Sequence, residues 1–206
     1  LDFLNLQSPS TATITEGQTV TVYARVEEAG ITPGGGQGAG IEVWVGWNST
    51  NTDPSTWSNW VAATYVGDQG NMDEYSAALG TGISAGTYYF ASRGRITAGA
   101  YQYGGYSAGG GGFWNGTTNV SGQLTVNPIT ITSFPYFEGF EGGVIPPVGW
   151  NNPDGFWTRG TEAHTGSYCA RIAYDHASGT DGILRSPLIV LPANMRINFW
   201  WKDDDI

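Results

Sequence analysis

A single cysteine, Cys169, stands in 206 residues, so no internal disulfide can staple the fold. Packing and hydrogen bonds must hold it instead. Lysine is almost missing as well: Lys202 is the only one, and the seven arginines are scattered. Without a basic patch there is nothing to meet a phosphate backbone or an anionic lipid surface, which excludes nucleic acid as a partner. No apolar run approaches the roughly 18–20 residues of a membrane helix, so membrane insertion is not expected either. Sustained helical periodicity is absent from every window. The chain also lacks an initiator methionine and a signal peptide, and it reads as an internal or processed fragment.

What is abundant points to sheets. Glycine (32 residues) and aromatic side chains (14%) are plentiful, only 13% of residues are charged, and threonine and valine recur in alternating runs. That mixture predicts an all-β protein with many turns. A chain this long fits one or two domains and can bury a sizeable core. The net charge of −10 is shared: residues 1–127 carry nine acids against three arginines, and residues 128–206 nine acids against five basic residues. An acidic surface suits a calcium-rich extracellular setting, and solubility accounts for it equally well.

Alternation places the first strands. In Thr19–Glu28, Val20, Val22, Ala24 and Val26 share one face. In Ile41–Trp47, Ile41, Val43, Val45 and Trp47 point inward, and the glycine-rich run 32–40 between these strands can only be a loop. Further strands are expected at 61–66, 75–79, 87–96 and 120–126, six in all, close to the roughly seven of an immunoglobulin-like sandwich. Gly86-Thr-Tyr-Tyr-Phe90 looks like the strand that carries that fold's tyrosine corner, with Tyr88 in the corner and Phe90 in place of the usual cysteine. Asn127-Pro128 marks a boundary, which gives modules at 1–127 and 128–206. Strands of the second module are expected at 167–173, 183–191 and 195–201. In the last of these Ile197, Phe199 and Trp201 alternate with Asn198 and Trp200, and no partner strand follows before Ile206.

In the second module Glu138-x-Phe140-Glu141, Pro147-x-Gly149-Trp150, His164-x-Gly166, Asp181-x-x-Leu184-x-Ser186-Pro187 and Phe199-Trp200-x-Lys202 follow in order. That succession resembles the cleaved-adhesin or choice-of-anchor J modules, a jelly-roll family related in shape to MAM domains. The family's module is longer, so the resemblance implies that its closing strands are missing here. The first module carries Val43-Trp44-Val45-Gly46-Trp47, Asp53-Pro54-x-x-Trp57, Gly70-Asn71-x-Asp73-Glu74-Tyr75, Gly86-Thr87-Tyr88-Tyr89 and Tyr101-Gln102-Tyr103-Gly104-Gly105-Tyr106. These weaker motifs look like a β-sandwich repeat of large secreted proteins from gliding, type IX-secreting bacteria. The implied fold is an immunoglobulin-like sandwich followed by an incomplete jelly roll, in an extracellular or cell-surface protein.

Candidate chemistry is sparse. Gly82-Ile-Ser84-Ala-Gly86 matches the serine-hydrolase pattern, but that motif needs a helix after it, and a strand is expected there. Cys169 with His164 or His176 could be a thiol nucleophile, although Ser167–Ile172 alternates like a strand whose cysteine packs. Calcium needs several converging oxygen ligands. The resemblance puts Glu138, Glu141 and Asp181 in that role, as a structural site, with surface carboxylates the plain alternative. Asp68, Asn71, Asp73 and Glu74 form a similar polar loop without the EF-hand pattern. Trp57, Trp60, Tyr101, Tyr103, Tyr106 and Trp114 lie in or near expected loops. Their rings could stack on a glycan or cap the ends of the sandwich.

The expectation is therefore a non-catalytic structural or adhesive pair of modules in a large secreted bacterial protein. Its partners would be other modules of the same polypeptide, and glycans or surface proteins. The alternative is a carbohydrate-binding accessory region of a secreted hydrolase, protease or nuclease whose catalytic domain lies outside this chain.

Overall fold

Pairing in residues 1–127 follows the alternation. In a computed structural model, which describes residues 1–172 and 182–202, this unit holds β1 (Phe3–Ser8), β2 (Thr11–Thr15), β3 (Val20–Glu27), β4 (Ile41–Asn48), β5 (Asn59–Ala62), β6 (Thr64–Gln69), β7 (Met72–Leu79), β8 (Gly86–Ile96), β9 (Gln102–Gly105), β10 (Gly112–Phe113) and β11 (Gly122–Asn127). One sheet runs β1-β3-β7-β6. In the other, β8 pairs along its length with β4, while its opposite edge is shared by β11 and β9. β5 extends that sheet beyond β4, β10 beyond β9, and β2 lies parallel to β11. The all-β expectation holds; the only helical turn among the described residues is Pro54–Thr56.

Side chains from the two sheets meet in two clusters. Leu6, Val22, Val45, Leu79, Phe90 and Leu124 anchor one, and Leu4, Ala24, Val26, Ile41, Val43 and Tyr75 the other. Each large aliphatic side chain taken out of water contributes about 1.5–3 kcal/mol before the cost of ordering it. The inward sets expected on β3 and β4 are buried, except that Val20 and Trp47 are only partly so. Between β7 and β8 the chain turns with Ile83 in the core, and the Tyr88 hydroxyl donates to the Ser84 carbonyl at 2.9 Å. That back-bond across the corner is the feature expected of Tyr88.

The expected strand 61–66 is two strands. Val61 and Ala62 belong to β5 on the second sheet, and the chain then crosses to β6 on the first. Ala63 makes the crossing: its N–H donates to the Val43 carbonyl at 2.8 Å and its side chain touches both core clusters. β1, β2, β9 and β10 were not expected: β1 and β2 offer only short alternating runs, and β9 and β10 are diluted by glycine.

Residues 128–206 form a separate unit. Its described strands are short: β12 (Thr130–Ile131), β13 (Trp157–Gly160), β14 (Cys169–Ile172) and β15 (Leu188–Ile189). β12 runs parallel to β15, and β13 antiparallel to β14. Only Ile131, Gly160 and Pro187 are buried among the described residues here. The strand expected at 195–201 is not formed. Its inward set is exposed, Ile197 at 63%, Phe199 at 78% and Trp201 at 76%. A strand needs a neighbour for its N–H and C=O groups, and alternation alone does not supply one.

Candidate binding face

The outer face of the β4–β5–β8–β9 region collects aromatic rings and arginines. Asp53 caps the Pro54–Thr56 turn, its Oδ1 accepting from the Ser55 N–H at 2.9 Å, and the turn delivers Trp57. Trp57 Nε1 donates to Thr52 Oγ1 at 3.1 Å, and its ring stacks on Trp60 with centroids 6.1 Å apart. Trp60 sits opposite Gly46 on β4, where any Cβ would collide with the indole. Glycine is required there by close approach, and the ring covers the gap it leaves.

Arginines continue the series. The Arg93 guanidinium lies 4.3 Å from the Trp60 ring centre, 4.1 Å from Tyr101 and 5.0 Å from Trp44. Arg95 follows at 4.9 Å from Tyr101 and 5.4 Å from Trp44, and its Nε meets Glu42 Oε2 at 2.6 Å. Burial pulls the Arg93 pKa down, and the hydrogen bond to Glu42 pulls that of Arg95 up. Both stay cationic, because an arginine deprotonates only far above physiological pH. A cation over a ring face contributes about 0.5–1 kcal/mol when exposed and about 2 when desolvated. The ladder therefore ties four strands together across their outer face.

Beside it opens a cleft of about 500 Å3, lined by Asp53, Ser55, Gln102, Tyr103, Phe113, Trp114 and Asn115. Tyr103 is backed by Trp60, with ring centres 5.9 Å apart. The Trp114 N–H donates to the Tyr103 carbonyl at 2.8 Å, and Trp114 Nε1 to Ser121 Oγ at 3.1 Å. Asn115 Oδ1 accepts from the N–H groups of Thr117, Thr118 and Asn119, which fixes the loop behind it. The walls are held before any ligand arrives.

Of the six rings expected to bind glycans, Tyr103 and Trp114 meet in this cleft. The other four do not. Trp60 is taken up by Trp57, Tyr103 and Arg93. Trp57 is 6% exposed and offers no free ring face. Tyr101 is taken up by Trp44 and the two arginines. Tyr106 pairs through its backbone with Val120 and packs on the core. Asp53, Ser55, Gln102, Phe113 and Asn115 were missed as lining residues, and Arg93 and Arg95 as rungs. For the arginines a signal existed: they alternate with the inward Ser92 and Gly94, so they must face out together with Trp44.

Each acidic candidate among the described residues already has a hydrogen-bond or ion-pair partner, although Asp73 Oδ1 is buried without one. Asp68 Oδ2 accepts from the Gly36 N–H at 3.1 Å, and Asp73 Oδ2 from Gly38 at 2.7 Å, so both pin the glycine-rich loop. Glu74 turns the other way and pairs with Arg25 at 2.8 Å. Glu138 Oε1 accepts from the Phe140 N–H at 2.6 Å. Glu141 Oε1 accepts from Ser167 and Tyr168, each at 2.9 Å. Gly166 makes that approach possible: its φ is +81°, and a Cβ there would strike the Glu141 carboxylate. Asp181 lies outside the described residues. Among the described residues no three His, Cys, Asp or Glu side chains converge as metal ligands, so these donors alone do not make a calcium cage.

Ser84 sits in the turn before β8, where its carbonyl serves Tyr88 and a strand, not a helix, follows. Cys169 is half-buried within β14, and the His164 ring stacks on Trp200 with centroids 3.9 Å apart. His176 lies outside the described residues.

No protein-family model and no curated protein matches this chain. Two solved structures of an uncharacterized Listeria monocytogenes protein are similar to part of it. One is a 1.9 Å crystal structure, 22% identical, with a TM-score of 0.32. The other is its complex with α-D-glucose, β-D-glucose, magnesium and calcium, 20% identical, again with a TM-score of 0.32. Each match covers 45% of this chain and only 8% of the Listeria chain. Similarity this slight does not extend the sugars or ions of that complex to this protein.

Proposed function

We propose that the chain is a pair of non-catalytic β modules from a large secreted or cell-surface bacterial protein, with a structural and adhesive role. The observation that carries the reading is the use made of polar side chains in the first unit. Its arginines brace rings or pair with glutamates, and Asp68 and Asp73 pin a loop. Such a module is built to hold a shape. The strand order supports an immunoglobulin-like assignment, with β1-β3-β7-β6 facing a sheet centred on β4 and β8 and a tyrosine corner between β7 and β8. For the second unit, the succession of motifs from Glu138 to Lys202 supports a jelly-roll adhesin module.

Two measurements test this. Purified chain is expected to turn over no peptide, ester, glycoside or nucleic-acid substrate. Turnover lost on Ser84→Ala or Cys169→Ala would overturn the non-catalytic reading. Antibodies to the chain are expected to label intact cells of the source organism, and labelling only after lysis would overturn the surface location. Calcium held by Glu138, Glu141 and Asp181 belongs to the same reading. A melting temperature lowered by chelator supports it, and an unchanged one removes it.

A further inference from the structure

We infer that the cleft between Tyr103 and Trp114 binds a neutral saccharide, a role that goes beyond a structural module. The walls are three rings, Tyr103, Phe113 and Trp114, and the rim carries hydroxyl, amide and carboxylate groups from Ser55, Gln102, Asn115 and Asp53. A sugar ring presents a flat C–H face and an edge of hydroxyls, which matches rings as walls and polar groups as rim. At about 500 Å3 the space lies within the roughly 300–1,000 Å3 usual for small-ligand sites.

Charge and backbone narrow the choice of ligand. No lysine or arginine lines the cleft, while Asp53 does, so phosphates, sulfated sugars and uronic acids lack a counter-ion. Arg93, the near cation, is already held between Trp60 and Tyr101. A peptide adding to the β10 edge would need unpaired backbone groups. Here the Trp114 N–H serves the Tyr103 carbonyl, the Phe113 carbonyl accepts from Asn119 Nδ2 at 3.1 Å, and the Asn115 N–H serves the Asn119 carbonyl at 3.0 Å. The Phe113 carbonyl and the Asn115 N–H are taken, which leaves little backbone for an added strand. Backing by Trp60 and Ser121 holds Tyr103 and Trp114 in place, so little ordering cost remains on binding.

The test is affinity electrophoresis of the whole 206-residue chain in native gels cast with hydroxyethyl-cellulose, laminarin, xylan, mannan or soluble starch. Gels with heparin and a soluble proline-rich peptide serve as comparisons. At least one neutral polysaccharide is expected to retard the chain. Trp114→Ala is expected to weaken that retardation about tenfold or more, and Tyr103→Ala similarly. Trp114→Phe keeps a ring for packing and is expected to retain part of the effect, which separates lost contact from lost folding. Phe199→Ala, in the other unit, is expected to change nothing. The inference is overturned by no retardation in any neutral gel, by retardation in heparin or peptide alone, or by retardation that both alanine variants keep while melting like the parent.

Discussion

Phe90 and Trp201 are both aromatic residues on alternating stretches, and their fates differ completely. Phe90 is fully buried between two sheets, while Trp201 is 76% exposed. Phe90 lies on β8, flanked by β4 and β11, with Gly122 opposite it because any Cβ there would strike the ring. The stretch around Trp201 has no paired strand among the described residues. The lesson is that alternation proposes a face, and only a paired neighbour and an opposing sheet turn that face into a core. Among the described residues the buried apolar side chains lie in residues 1–127, with Ile131 and Pro187 the exceptions.

The largest effect expected from this contrast is at Phe90. Phe90→Ala should cost about 3–5 kcal/mol in the denaturant unfolding of the first unit, whereas Trp201→Ala should fall within about 0.5 kcal/mol of zero. Trp60→Ala comes next, at about 2 kcal/mol, because it strips a half-buried ring from Arg93, Trp57 and Tyr103 together. Tyr88→Phe removes one hydrogen bond to Ser84 and should cost about 1 kcal/mol. Equal losses at Phe90 and Trp201 would break the comparison between the units.

The smallest effect is a titration. The Tyr65 hydroxyl donates to Asp68 Oδ1 at 2.5 Å, which pushes the phenol up to about 12 and holds the Asp68 carboxyl below its usual range. The phenol's folded pKa is raised above its ordinary value near 10. Its contribution is thus complete below pH 10 and lost as pH climbs through about 12. The carboxylate's contribution is complete above its ordinary range and lost as pH falls through the lowered value. Both groups face solvent, so the gain in stability is slight. Absorbance titration should show a late-ionising tyrosine that returns toward 10 in Asp68→Asn; an unchanged curve would remove the pairing.

Much of the first unit was legible. Val22, Ala24 and Val26 on β3 and Ile41, Val43 and Val45 on β4 announce their buried face by period alone. The boundary at Asn127-Pro128 and the Tyr88 corner were readable from turn chemistry and spacing. The split of 61–66 at Ala63 was not, because a strand that changes sheets keeps its composition. The cleft was half legible. Tyr103 and Trp114 stand out as aromatics, with Gln102 and Asn115 beside them in sequence, but the two segments meet only through the β9–β10 pairing, and Asp53 and Ser55 come from a distant turn. In residues 195–201 the pattern was clear and misleading, since pattern says nothing about the partner.

Hydrogen exchange read by mass spectrometry on the intact 206-residue chain tests the central claim most directly, that the core and its protection lie in the first unit. Amides of β3, β4, β7, β8 and β11 are expected to exchange only through global opening, while those of 195–202 exchange at nearly free-chain rates. Protection of 195–202 equal to that of β8 would contradict it.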